Sequence, residues 1–322
     1  MIISRTPFRI SFTGGGSDIS DFYLNHGGAV LSTTIDKYVY LSMHPYFAEK
    51  KSLLKYSENE LVNKNNDIKH PIIKEVFNHF DITGVDLSSS ADIPGGTGMA
   101  SSSAFTAGLI NVCASYKGIY LTKKEISDLS CKIEIENLNE PIGKQDQYAC
   151  TYGGLNLIEF HKNDEVTVEK INLKSTVLQN LNNNLILFYL GKTRSASSIL
   201  SEQKKTINEE AKVTTLNKMV SLTFDLKAYL LKNDIDKLGE ILHEGWMLKK
   251  NLSNGISNPL IDEYYEAGIK AGALGGKLLG AGGGGFLLFY VKDQQKNKVI
   301  NKLNNIVFTD FNFEQTGTTI IY

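Results

Sequence analysis

The periodicity of apolar positions changes along this chain, and the changes mark its elements. Residues 2–12, 29–43 and 85–93 are rich in β-branched and aromatic side chains and are separated by Gly, Asn and Asp, which predicts strands. After Ser101 the pattern becomes helical, with Leu109, Val112, Cys113 and Tyr116 on one stripe. Thr122 followed by Glu125 is a capping box and opens a second helix. Residues 155–160, 166–173 and 185–190 read again as strands, and between about residues 199 and 251 the chain turns to Lys- and Glu-rich amphipathic helices. A glycine-rich stretch, 268–285, then leads into an apolar run over 286–291 that reads as a strand. With no linker or repeat, the domain boundary falls between residues 173 and 185, giving units of 1–178 and 179–322.

Composition narrows the function classes. The chain has 322 residues, 42% of them hydrophobic, enough for sizeable cores in about two domains. Lys and Arg number 34 against 35 Asp and Glu, a net charge of −1, so no long-range field recruits nucleic acid or an anionic membrane. An anionic ligand must therefore be held locally. Cys113, Cys131 and Cys150 form no metal pattern and read as reduced core thiols. The first residues lack a signal-peptide profile and no apolar run approaches the ~18 residues of a membrane span, so a cytoplasmic protein with small-molecule partners is expected. Nothing in the sequence sets an oligomeric state.

Chemistry concentrates in four segments. The first, PGGTGMASSSAF over 94–105, packs Gly95, Gly96, Thr97, Gly98, Met99 and Ala100 ahead of Ser101, Ser102 and Ser103. Glycines that let backbone N–H groups approach a ligand at a helix start suit a polyphosphate, although a serine-capped turn needs the same residues. It is not a Walker A loop: for Gly191-Lys192-Thr193, the position that would need glycine is Ile186. The second segment, RTPFRISFTGGGSDISDF, carries Arg9, Gly15, Gly16, Ser17 and Asp18, and suits either a β-turn or a hydroxyl-rich ligand approached by main chain. In the third, EIENLNEPIGKQDQYAC, Asp146 suits a helix-start acid as well as a catalyst. At ~100° per residue Glu134 and Glu136 flank the apolar stripe on opposite sides, so periodicity leaves both open as metal ligands. The fourth, after residues 185–190, is Gly191, Lys192, Thr193 and Arg194, then Ser195, Ala196, Ser197 and Ser198 before a helix, a second candidate anion site.

The first segment resembles the phosphate loop of the galactokinase, homoserine kinase, mevalonate kinase and phosphomevalonate kinase (GHMP) family, with Pro94, Gly96, Gly98, Met99, Ser101 and Ser102 in the motif's places. Pro7, Arg9, Phe12, Gly14 and Asp18 likewise match the N-terminal galactokinase-type segment, in which Gly15 and Gly16 replace the sugar-contacting Glu and His and leave more room. The resemblance implies an α+β fold of two lobes, ribosomal-protein-S5-like and then ferredoxin-like, with ATP as donor and Mg²⁺ as cofactor. It further implies Asp146 as the base, with Arg9 steadying charge in transfer. The loop from Gly95 to Ser103 would bind ATP phosphates, and Ser102 with Glu134 would hold the metal. Gly15, Gly16, Ser17, Asp18, Lys192, Arg194, Gly282 and Gly283 would surround the acceptor. The segments RTPFRISFTGGGSD, GKQDQYA and GKTR resemble the family's heptose-phosphate branch. This implies phosphorylation of D-glycero-D-manno-heptose 7-phosphate at its anomeric hydroxyl, toward an activated heptose for surface glycans. A kinase of free fucose or galactose, or a non-catalytic sensor on the same fold, are the alternatives; the intact Asp146, Glu134, Ser102 and Arg9 set argues against the sensor.

Overall fold

The computed structural model describes residues 1–47, 51–191 and 196–322. In chain order the elements of the first half are β1 (Ile2–Thr13), α1 (Ser20–His26), β2 (Gly28–Pro45), β3 (Ser52–Lys55), β4 (Asn59–Val62), α2 (Pro71–Phe80), β5 (Val85–Ala91), α3 (Ser101–Tyr116), α4 (Lys123–Cys131), α5 (Gln145–Tyr152), β6 (Asn156–Phe160), β7 (Val166–Lys170) and α6 (Ser175–Asn183). The second half holds β8 (Leu185–Tyr189), α7 (Ala196–Thr206), α8 (Glu210–Leu231), α9 (Lys237–Lys249), α10 (Pro259–Lys270), β9 (Gly275–Leu278), β10 (Phe286–Tyr290), α11 (Lys296–Lys302), β11 (Val307–Thr309), β12 (Phe313–Glu314) and β13 (Thr319–Ile320).

Two sheets organise these elements. The first has nine strands, ordered β13-β1-β2-β5-β3-β4, with β6 and β12 attached along β2 and β7 attached to β6. The length of β2 explains the branching: its first residues pair with β6 and its last with β5, while β1 runs antiparallel along nearly its whole length. The second sheet is antiparallel, ordered β11-β8-β10-β9. β10, FLLFY, is buried at every position, as a strand covered on both faces must be.

The capping box of Thr122 and Glu125 forms at the start of α4. Asn258 caps α10 with Pro259 just inside, a preorganised helix start.

The expected boundary at 178/179 falls inside α6, ahead of β8, which opens the second sheet, and the chain beyond it also returns to the first sheet. β12 pairs with β2 and β13 with β1, so the last residues complete the first sheet. One hydrophobic cluster joins Phe8, Ile10 and Leu31 of the first sheet to Leu187, Leu226 and Leu288 of the second half. A second cluster around Trp246 and Phe289 takes in Ile19 and Phe22 from the first half. The three cysteines are buried and unbridged. Among the described residues no helix is long and apolar enough to cross a membrane.

Candidate active site

A cavity of about 310 Å³ opens where the two halves meet, walled by β1, the turn after it, the start of α3, α5 and residues of α9 and β9. The loop from β5 to α3 forms one wall. Gly96, Gly98 and Ala100 have φ of 74°, 81° and 65°, the left-handed region. Gly98 is required twice over, because a Cβ there would lie 2.6 Å from the Leu279 carbonyl oxygen. Ala100 caps α3 without a side-chain acceptor, so the first N–H groups and the positive end of the helix dipole are left for a ligand. The loop is closed by Gly96 N–H donating to Ser101 Oγ at 3.2 Å and by Thr97 Oγ1 donating to the Pro94 carbonyl at 3.0 Å.

Gly96, Gly98, Ala100, Ser101, Ser102 and Ser103 line the cavity. Thr97 and Met99 are buried behind it and act as scaffold: the Met99 carbonyl accepts from Arg9 N–H at 3.2 Å.

Arg9 and Asp146 meet across the cavity floor. Arg9, only 3% exposed, donates from Nε to Oδ1 at 2.8 Å and from Nη2 to Oδ2 at 2.9 Å, a bidentate pair. Its remaining nitrogen, Nη1, donates to the Gly98 carbonyl at 2.7 Å. Asp146 lies in the first turn of α5, which the preceding Gly143 brings close: a Cβ on Gly143 would lie 2.0 Å from Asp18 Oδ2.

Asp18 is buried and accepts from Gly16 N–H at 2.9 Å and from Gln145 N–H and Nε2 at 3.2 and 3.3 Å. Burial pushes its carboxyl above the ordinary 3.8, and the charge of Asp146 pushes the same way. Gly15 and Gly16 line the cavity. A Cβ on Gly15 would meet nothing closer than 3.6 Å, whereas one on Gly16 would come within 2.6 Å of Gln203 Nε2. Ser17 corrects the expectation that it faces a ligand: its buried hydroxyl donates to the Gly14 carbonyl at 2.8 Å and accepts from Ala29 N–H at 3.1 Å, locking the turn.

Glu134 sits in a π-helical turn, Lys132–Asn137, that follows α4 directly. The wide turn, with Leu138 N–H donating to the Ile133 carbonyl, rotates Glu134 into the interior and leaves Glu136 exposed. Its carboxylate accepts from Ser102 Oγ at 2.6 Å, Ser103 Oγ at 2.8 Å, Gln147 Nε2 at 2.7 Å and Thr106 Oγ1 at 3.1 Å. Burial still pushes the carboxyl above its ordinary 4.5. The neighbouring Ser102 hydroxyl and Glu134 carboxylate are hard oxygen donors that fit Mg²⁺, an ion that takes few protein oxygens and completes its shell with phosphate and water. Among the described residues no cluster of three or more His, Cys, Asp or Glu side chains offers a fuller cage.

Lys192 and Arg194 lie outside the described residues. Gly282 and Gly283 are not in the cavity wall, a correction to their assignment beside the acceptor: Gly282 presses on Ile256, and Gly283 N–H donates to the Ile256 carbonyl at 3.0 Å. Their neighbours Gly280 and Ala281 take that place in the wall. Two residues not expected from the sequence also line it, Lys249 and Lys277, both buried. Burial lowers both ammonium groups below the ordinary 10.5, Lys249 to about 8, and neighbouring cations add to the effect.

Comparison with known proteins bears on the family. Residues 66–154 match the GHMP kinases N terminal domain and residues 226–308 the GHMP kinases C terminal domain. The chain is 31% identical, over 98% of its length and 97% of the relative's, to D-glycero-alpha-D-manno-heptose 7-phosphate kinase of Campylobacter jejuni. The chain belongs to the GHMP kinases.

Solved structures place this kinase in the same fold along its whole length. A D-glycero-D-manno-heptose 1-phosphate kinase from Bacteroides thetaiotaomicron superposes with a TM-score of 0.82 at 26% identity, covering 100% of this chain and 99% of that one. A putative sugar kinase from Campylobacter jejuni gives 0.81 at 29% identity, covering 99% and 97%. The two-lobe α+β architecture is thus that of the family, and the protein is a sugar kinase, a phosphotransferase with an alcohol acceptor.

Proposed function

We propose that this kinase transfers the γ-phosphoryl group of ATP to the anomeric hydroxyl of D-glycero-D-manno-heptose 7-phosphate, giving the 1,7-bisphosphate. The observation that carries the acceptor is the full-length 31% identity to the Campylobacter heptose 7-phosphate kinase. The room at Gly15 agrees with it, since a Cβ there would meet nothing closer than 3.6 Å, which leaves space for an acceptor bulkier than a hexose.

In this reading Asp146 accepts the proton of the anomeric hydroxyl as that oxygen bonds to the γ-phosphorus and the bond to the β-phosphate bridging oxygen breaks, releasing ADP. The bidentate pair with Arg9 uses one lone pair on each carboxylate oxygen and leaves others for the acceptor. Because Arg9 also grips the Gly98 carbonyl, one side chain sets the distance between the base and the loop that holds the donor phosphates. The N-terminal N–H groups of α3 stabilise the charge that spreads over the phosphoryl oxygens. Ser102 and Glu134 would hold Mg²⁺, which supplies charge neutralisation on the β- and γ-phosphates.

The test is phosphorus NMR of the purified protein with Mg²⁺ and ATP against D-glycero-D-manno-heptose 7-phosphate, fucose, galactose and mannose. A new anomeric phosphate with the heptose phosphate alone is expected. Turnover with a free sugar alone would reassign the acceptor.

A further inference from the structure

The transfer scheme leaves two buried ammonium groups in the cavity without a role. Lys277, in β9, is 5% exposed and Lys249, the last residue of α9, 7%. Lys277 is committed to scaffolding: its Nζ donates to the carbonyls of Ser11 at 2.8 Å and Phe12 at 3.0 Å, using two of its three protons. Lys249 donates to the Gly280 carbonyl alone among its hydrogen bonds in the described residues, which leaves two protons beside the cavity. Among the described residues neither ammonium makes an ion pair, whereas Arg9 is paired with Asp146. Three cations therefore converge on one cavity whose lining acids are Asp18, Asp146 and Glu140, and Asp146 is already paired with Arg9. Desolvated cations that repel one another are costly unless an anion joins them.

The position of Lys249 says which anion. Gly280 is pressed against the phosphate loop: a Cβ on Gly280 would lie 2.4 Å from Gly98 Cα. Arg9 Nη1 holds the Gly98 carbonyl and Lys249 Nζ holds the Gly280 carbonyl, so the two cations flank one contact between the loops, next to the base. That is the donor-phosphate end of the cavity.

We infer that Lys249 is a catalytic residue that donates to the terminal phosphate of the bound nucleotide and stays with that group as it moves to the acceptor. This rests on the phosphoryl-transfer reading above but not on which sugar accepts. As the P–O bond to ADP breaks, the negative charge on the departing phosphoryl oxygens is shared among Lys249, Arg9 and the N-terminal amides of α3.

The experiment is calorimetric titration of the protein, with Mg²⁺, with ADP and with the non-hydrolysable ATP analogue AMPPNP, for the unaltered chain, Lys249→Met and Lys249→Arg. The Met variant keeps the apolar stem and removes an unpaired buried charge, so its melting temperature should hold or rise. The expected result is that Lys249→Met loses about tenfold or more in AMPPNP affinity while ADP affinity is unchanged, as for loss of one charge-assisted hydrogen bond. Lys249→Arg should keep most of the preference for AMPPNP over ADP. With whichever acceptor the unaltered enzyme uses, Lys249→Met should lose kcat with acceptor KM nearly unchanged. An unaltered AMPPNP-to-ADP ratio in Lys249→Met, or a loss confined to acceptor KM, would overturn the inference. Failure of the heptose assignment would show instead in the unaltered enzyme's choice of acceptor.

Discussion

Arg9 links the reaction's two halves, because its guanidinium spans the Asp146 carboxylate and the Gly98 carbonyl. Asp146→Asn is expected to lower kcat by roughly 10²–10⁴-fold, the usual weight of a positioned general base, with nucleotide binding retained. Steady-state kinetics beside an ADP titration checks this, and full turnover would exclude Asp146 as the base. Glu134 makes a pH prediction. Its folded-state pKa is raised by burial above the 4.5 of an ordinary glutamate, so the folded protein holds that proton more tightly than the unfolded chain. The stability this contributes is complete below about 4.5 and is lost as pH rises through the raised value. In metal-free buffer the melting temperature should fall across that window, and Glu134→Gln should flatten the fall while Asp18, raised for the same reason, keeps its share. Added Mg²⁺ should restabilise the unaltered protein above the window and leave Glu134→Gln unmoved; equal metal response in both would exclude Glu134 as a ligand. Arg9 and Asp18 were legible in the sequence because they sit in a short run whose glycines and charges are hard to explain as core or surface, whereas Asp146, as good a helix-start acid by itself, was singled out by the family resemblance. Lys249 was not: among the lysines of an amphipathic helix, nothing local distinguishes one that turns inward.

At the level of elements, the site depends on a departure from regular geometry at two places. The π-helical turn at Lys132–Asn137 is why counting 100° steps could not choose between Glu134 and Glu136: the turn is wider than the one the counting assumes. The second place is the contact between the phosphate loop and the glycine-rich loop after β9, where Gly98 and Gly280 touch and a Cβ on Gly285 would lie 2.2 Å from the Thr97 carbonyl. Gly280, at φ 72°, tolerates no side chain, so Gly280→Ala is expected to destabilise the protein by about 1–3 kcal/mol and to raise the KM for ATP. Urea unfolding and initial rates test it, and unchanged stability would mean the two loops are not clamped together. β9 itself was hidden inside this glycine-rich stretch, since GGKL carries little strand signal, and β12 and β13 are too short for any period to show. The long strands β1, β2 and β5, by contrast, lie where the apolar runs placed them.

For the whole molecule, the two sheets share hydrophobic clusters and the chain's last strands belong to its first sheet, so the halves should unfold together. Removing residues 313–322 is expected to lower the melting temperature and loosen β1. It would strip the buried Thr6 hydroxyl of its partner Thr318, 2.8 Å away, at a cost of about 1–3 kcal/mol for that group alone. Limited proteolysis and a melting curve read the outcome; a truncated chain as stable as the full one would mean the tail only decorates the sheet. The pairing of Ser4 with Ile320 also sets an order of events during biosynthesis. At ribosomal speeds of about 5–20 residues per second, the outer edge of β1 waits on the order of 15–60 s for the strand that covers it. Throughout that interval the nascent chain presents an open strand edge to its neighbours on the polysome, so the pace of translation, and whatever shields that edge, bears on how much active enzyme a cell obtains.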